Sequence, residues 1–202
     1  MGKTWIFKRR AFILGALAAL AGLVRPASAA RCSLTEPNPA GPFYLPGAPL
    51  RSRLAPEDFP GERLRISGRV LGADGCTPLA GAMVDVWHAS SAGYYYGMEA
   101  TPPLKPEHYL LRGRIATGAD GSYAFDSILP GRYRITETLT RPRHIHYRIT
   151  HPDHRELITQ LYFEGDPHNG SDPLVRSPLI IPLRPRSGGG SEGTFDIVLG
   201  PA

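Results

Sequence analysis

Arg63-Leu64-Arg65-Ile66-Ser67-Gly68-Arg69-Val70 decides the fold class. Leu64, Ile66, Gly68 and Val70 alternate with Arg63, Arg65, Ser67 and Arg69, so one side of the segment is apolar and the other polar. A period of two belongs to a half-buried β-strand, because successive side chains on an extended backbone point to opposite faces. Downstream, further strands are predicted at 83–87, 114–117, 122–125, 133–138, 144–150, 159–163, 179–183 and 195–199, separated by turn signals such as Asp120-Gly121. No convincing amphipathic helix interrupts them. The fold is therefore expected to be all-β, an antiparallel β-sandwich. Two connections are long, 89–113 and 166–178, and long loops in a compact domain are more often functional than idle. The first carries Tyr94, Tyr95 and Tyr96 and is expected to wall the site. Ser187 to Gly193, with three consecutive glycines, reads as a flexible loop before the last strand.

Upstream of the strand, residues 31–60 form a Pro-rich arm containing Gly41-Pro42-Phe43-Tyr44, and residues 1–30 read as a twin-arginine signal peptide. Lys8-Arg9-Arg10 supplies the basic region, Ile13 to Val24 the apolar stretch, and Ala27-Ser28-Ala29 the cleavage site. An apolar run of about a dozen residues falls short of the roughly twenty that span a bilayer, so export with cleavage, and no stable membrane anchor afterwards, is expected. The mature domain, 61–202 with its arm, would be periplasmic or secreted. The formal charge of +5 resides in the leader, where Lys3, Lys8, Arg9, Arg10 and Arg25 meet no acid. Without those five, 18 basic residues face 18 acidic ones, which removes any argument for a nucleic-acid partner. Cys32 and Cys76 would enter an oxidising compartment, and a disulfide pinning the arm to the sandwich is expected, the alternative being two unpaired thiols.

The chemistry-bearing stretch is Arg141-Pro142-Arg143-His144-Ile145-His146. On a strand, His144 and His146 aim two imidazoles into one space, with a guanidinium three residues upstream. Tyr133 follows the turn Leu129-Pro130-Gly131-Arg132 and can share that space. A His-x-His pair alone is more often a packing pair, and a lone strand tyrosine is usually core. Two tyrosines with two histidines, however, make a ligand set suited to ferric iron, since phenolate oxygens favour a hard trivalent ion. Spacing alone does not separate Tyr95 from its neighbours. Arg143 and His88, His108, His151, His154 and His168 read as surface residues, and Trp87 as packing beneath the site.

These motifs resemble the intradiol ring-cleavage dioxygenases, the family of protocatechuate 3,4-dioxygenase and catechol 1,2-dioxygenase. The resemblance runs from Gly41-Pro42-Phe43-Tyr44 through Gly81-Ala82-Met83-Val84-Asp85-Val86-Trp87-His88-Ala89 and Arg141 to His146, and on to Gln160-Leu161-Tyr162-Phe163-Glu164-Gly165-Asp166. It implies non-haem Fe(III) held by Tyr95, Tyr133, His144 and His146, with Tyr95 matched by its place two residues after Gly93. It also implies that Tyr95 takes substrate protons, that Arg141 stabilises charge developing on the substrate, and that Gln160 supports it. The implied reaction is cleavage of a catechol-type ring by O2 to a muconate-type diacid. The short arm makes the chain look closer to a protocatechuate-type subunit or an exported single-domain member, and a homo- or hetero-oligomer is compatible. Pro78-Leu79-Ala80-Gly81-Ala82 and Leu129-Pro130-Gly131-Arg132-Tyr133 also resemble transthyretin-like or carboxypeptidase-regulatory-like modules, non-enzymatic extracellular β-sandwiches that bind partners. Such modules have no need of His144, His146 and Arg141 together.

Overall fold

β1 (Arg63–Gly72) forms where the alternation predicts it, burying Leu64, Ile66 and Val70 and turning its arginines outward. The structure, a computed structural model, describes residues 1–2 and 32–202, so the predicted export signal lies outside the described residues apart from its first two. β1 pairs antiparallel with β4 (Ser122–Ile128) on one side. On the other it runs parallel to β11 (Ser191–Thr194) along its first half and to β12 (Ile197–Leu199) along its second. β10 (Arg184–Pro185) closes that edge against β11. The second sheet has the order β3 (Arg112–Ala116), β2 (Met83–His88), β7 (His144–His151), β8 (His154–Phe163), β9 (Ile180–Ile181). A two-stranded ribbon, β5 (Tyr133–Arg134) with β6 (Thr140–Arg141), leads into β7.

The sandwich is all-β, but its sheets are mixed, since β11, β12 and β9 pair in parallel. Among the described residues the only helical turns are short 3-10 segments at Pro106–Tyr109 and Ser177–Leu179. The strand expected over 133–138 stops at Arg134, because Ile135 and Thr136 turn back to bond the Leu139 carbonyl. The loop expected over 187–193 gives up its end to β11, whose backbone supplies the partner that β1 needs on that edge.

The inner faces of the two sheets meet in one core. Ile66, Val70 and Phe125 from the first pack against Val84, Val86, Ile145, Tyr147, Ile149 and Leu161 from the second. β2 and the first half of β7 are buried on both faces, unlike β1. The outer face of the second sheet is covered by the arm and the long loops. Register sets what lies there: Arg112 pairs with Trp87, Trp87 with His146 and His146 with Gln160, so these four side chains form one row across four strands. His144 and Tyr162 form the next row. Because directly paired residues share a face, a slip of one residue would bury this polar row in the core.

The arm is anchored to the sandwich at both ends. Cys32 and Cys76 are disulfide-bonded. Farther along, Arg51, Ser52 and Leu54 exchange backbone hydrogen bonds with Arg114, Asp126 and Leu111, which stitches the arm across the edges of both sheets.

Candidate metal centre

His144 and His146 point from β7 into the space beneath the arm, each 1% exposed. The Nδ1–H of His144 donates to the Pro142 carbonyl at 2.7 Å, which leaves Nε2 bare. Two phenols converge on that nitrogen: the Tyr95 hydroxyl lies 3.3 Å away and the Tyr133 hydroxyl also 3.3 Å. The His146 ring is 4.9 Å from that of His144, between centroids, and neither of its nitrogens has a hydrogen-bond partner although both are buried. All four predicted ligands are thus brought together. Tyr94, by contrast, is 49% exposed and Tyr96 packs against Phe59, so the structure separates Tyr95 from its neighbours where spacing could not.

Local structure explains the convergence. Gly93 has φ +82, and a Cβ there would lie 2.4 Å from the Arg132 carbonyl oxygen and 3.0 Å from the Tyr133 Cβ. A Cβ on Gly131 would lie 2.2 Å from the Ser91 carbonyl. The two tyrosine-bearing segments interlock because both contact points are glycine, and the Ser90 carbonyl accepts from the backbone of both. Trp87 lies flat on His146, with centroids 4.9 Å apart and planes 5° apart, and Phe43 of the arm stacks on Tyr95 at 4.2 Å.

Burial drives the charge state. His144 is pushed down to about 3, first by desolvation and then by the Arg141 cation, and His146 is held well below the ordinary histidine range for the same two reasons and its proximity to His144. Burial also raises the Tyr95 phenol well above its usual value and raises Tyr133, the latter opposed by Arg141. Left to themselves, then, the four groups are neutral. Two hydroxyls compete for one lone pair on His144, and His146 is left with none of its bonds made. Burying such groups unpartnered is costly. A bound cation reverses the balance, since it draws the phenols to phenolates and occupies the imidazole lone pairs. Ligand atoms about 2 Å from one ion lie roughly 2.8–3.3 Å from each other, so the spacing of the phenol oxygens and His144 Nε2 suits a common metal. The residues fit such an ion. Among the described residues no three His, Cys, Asp or Glu side chains gather as a metal site, and the donor set here draws half its members from tyrosine.

Behind the four predicted ligands sits Arg141, 5% exposed. It donates to Gln160 Oε1 at 2.6 Å, to the Tyr162 hydroxyl at 3.2 Å and, through Nε, to Asp172. Gln160 therefore lies beside Arg141 as the motif suggests, Tyr162 belongs to the same motif but had no role assigned to it, and Asp172 carried no signal in the sequence. Arg112 was likewise missed: buried, it joins the Phe43 carbonyl at 2.6 Å to the Tyr96 carbonyl at 2.9 Å. His88 is a correction, for it is 1% exposed and not at the surface. It occupies the inward face at the end of β2, where Nδ1–H donates to the Ala89 carbonyl and the Ser127 hydroxyl donates to Nε2, both at 2.7 Å. Arg143 is half-buried, with its backbone N–H on Asp166 and its Nε enclosed, so it is not a solvated loop arginine either.

The sequence model of a family described as Dioxygenase matches residues 40–201. A chlorocatechol 1,2-dioxygenase from Rhodococcus opacus is 42% identical over 164 residues, which cover 71% of this chain and 62% of that protein. The chain belongs to the intradiol ring-cleavage dioxygenases. Catechol 1,2-dioxygenase 2 of Acinetobacter lwoffii, another relative, is 38% identical over 148 residues, covering 65% of this chain and 52% of its own. The chain thus spans little more than half the length of the curated relatives it matches. Among solved structures, the dioxygenase domain of a dioxygenase carbohydrate-binding fusion from Streptomyces sp. SirexAA-E matches with TM-score 0.72 at 38% identity, over 84% of this chain and 100% of that one. The 3-chlorocatechol 1,2-dioxygenase of Rhodococcus opacus 1CP matches with TM-score 0.74 at 30% identity, over 83% and 73%. Family membership decides against the transthyretin-like module as the source of the shared turn motifs.

Proposed function

We propose that this dioxygenase-family chain is an exported enzyme that opens a catechol-type ring with O2 to a muconate-type diacid, using one non-haem ferric ion held by Tyr95, Tyr133, His144 and His146. The observation that carries the reading is the meeting of two buried phenols and a bare imidazole nitrogen beside His146, whose two ring nitrogens are both unpartnered. When bound, the ferric ion would supply Lewis acidity that makes a chelated catecholate reactive towards dioxygen. The substrate class follows the relatives, which are named for catechol, chlorocatechol and 6-chlorohydroxyquinol.

The chain's own residues do the rest. His144 and His146 offer neutral lone pairs, with the tautomer of His144 set by Pro142. Tyr95 stands on a loop, not on a strand, so it is the donor able to move aside and accept a proton from a substrate hydroxyl. Arg141 stabilises negative charge developing on the substrate, and Gln160 holds the guanidinium. All four ligands come from one chain, so the metal itself needs no partner subunit. The leader supports a periplasmic or secreted location, and passage through the twin-arginine route in the folded state would let the metal be acquired before export.

Metal analysis of the purified protein, combined with an oxygen electrode and a panel of catechols, tests the reading. The expected result is one iron per chain, a red to burgundy colour from ferric tyrosinate, and oxygen uptake with at least one catechol. Protein that stays colourless and metal-free after loading with iron would overturn it. Coloured, iron-loaded protein without oxygen uptake would leave an iron-binding protein that does not turn over.

A further inference from the structure

Arg141 is held on two of its three nitrogens. Nε donates to Asp172 Oδ2, and Nη2 to Gln160 Oε1 and the Tyr162 hydroxyl, whereas Nη1 has no partner among the described residues. A guanidinium is planar, so fixing two nitrogens fixes both its plane and the direction of the third. The two anchors do not end locally. Asp172 Oδ1 accepts the Leu174 N–H at 2.8 Å, and the Leu174 carbonyl accepts from the Asn38 side chain at 2.8 Å. On the other branch, Gln160 donates to the Pro39 carbonyl at 2.7 Å. Both supports of Arg141 therefore terminate on consecutive residues of the arm.

Burying an ion pair costs on the order of several kcal/mol per charge before attraction is counted, and an arginine left at the pocket mouth would avoid that. Arg141 and Asp172 are each 5% exposed. What burial adds is a single orientation. We infer that Asp172 is the positioning residue for Arg141, and that Asn38 and Pro39 close a ring of contacts which aims its free Nη1 at the substrate. This rests on the dioxygenase reading above. The Asp172 side chain hydrogen-bonds to Arg141 and the Leu174 N–H and to none of the four predicted ligands, so its loss should leave the metal in place.

The test uses iron-loaded protein and reads turnover per bound iron. Asp172→Asn should keep full iron and an unchanged tyrosinate absorption band while kcat per iron falls about 10²-fold, the scale of a misplaced catalytic group. Asp172→Glu retains the charge pair, and with it the fold, but shifts the carboxylate by one methylene; kcat per iron should fall about tenfold, and this variant decides the matter if Asp172→Asn does not fold. Arg141→Ala combined with Asp172→Asn should be no slower than Arg141→Ala alone, because a positioning residue has nothing left to position. Wild-type kcat per iron in Asp172→Glu, a loss that tracks iron loss, or additive effects in the double variant would each overturn the inference while leaving the dioxygenase reading intact. Wild-type protein that neither binds iron nor consumes oxygen with any catechol would take both down.

Discussion

His146 is the residue whose surroundings make least sense without a ligand. It is buried on β7, stacked on Trp87, with two unpartnered nitrogens, and an unmade bond at a buried polar atom costs about 1–3 kcal/mol. Replacing it by alanine, or Tyr133 by phenylalanine, should lower iron content to near zero by elemental analysis. Arg141→Ala should keep iron and lose about 10²–10³-fold in kcat, the range for removing a charge-stabilising donor. His88 has a different fate, because both of its nitrogens are satisfied inside the protein and burial holds it down to about 4. Its unfolded value is about 6.5, so between these values the unfolded chain binds the extra proton, and stability must fall as pH drops through that window. The loss should reach on the order of 3 kcal/mol by pH 4 and be constant below. Chemical denaturation at pH 7 and pH 4.5 should show it, and His88→Asn should flatten this part of the slope. At this scale the convergence of His144 and His146 was legible because strand periodicity aims them together, whereas Tyr133 and Tyr95 were assigned as ligands only through the family resemblance. The place of His88 was not legible, since a histidine at the junction of strand and loop gives no clue to which face it joins.

The elements that carry these residues were read with unequal success, and the reason is geometric. β1 and β7 announce themselves through alternation and through His-x-His, and β9 and β12 fall within the apolar stretches predicted at 179–183 and 195–199, whereas β10 and β11 are short, carry Pro, Ser and Gly, and depend on β1, far away in sequence, as the parallel partner of β11. Nothing local encodes such pairing. The interlock of the two tyrosine loops is likewise invisible in sequence except as a pair of glycines. It makes a sharp prediction: Gly93→Ala must leave φ +82 and move its new Cβ away from a carbonyl oxygen 2.4 Å distant. The expected cost is about 2 kcal/mol or more in stability. Because relief requires the loop to lift from β5, Tyr95 should move with it. Iron should then bind in substoichiometric amount, with a weakened tyrosinate band, although Gly93 lies in none of the ligand positions. Gly165→Ala, where a Cβ meets nothing within 4 Å, carries backbone strain alone and should lose stability without losing iron.

Taken as a whole, the molecule is a sandwich with a third layer, the arm, laid over the outer face of one sheet. A covered outer face explains why β2 and β7 are buried on both sides and why a polar row of Arg112, Trp87, His146 and Gln160 can sit dry there. Beyond Cys32 and the Gly41-Pro42-Phe43-Tyr44 motif the arm reads in sequence as a Pro-rich segment, because many of its contacts are made by carbonyl oxygens: Glu36 takes Thr159, Pro39 takes Gln160, Phe43 takes Arg112 and Ala48 takes Arg114. Carbonyls are present at every residue and leave no signature. The disulfide closes a sequence separation of 44 residues, and chain entropy assigns such a loop about 4 kcal/mol. Cys32→Ser with Cys76→Ser should therefore lower Tm by about 10 °C by calorimetry. The site should respond as well, since releasing the first residues of the arm loosens Asn38, Pro39 and Phe43 over the ligands. Iron should be stripped by a chelator faster from the double serine variant than from the wild type at a temperature where both are folded. Equal rates of stripping would mean that the stitches from Arg51 to Leu54 hold the arm in place without help from the disulfide.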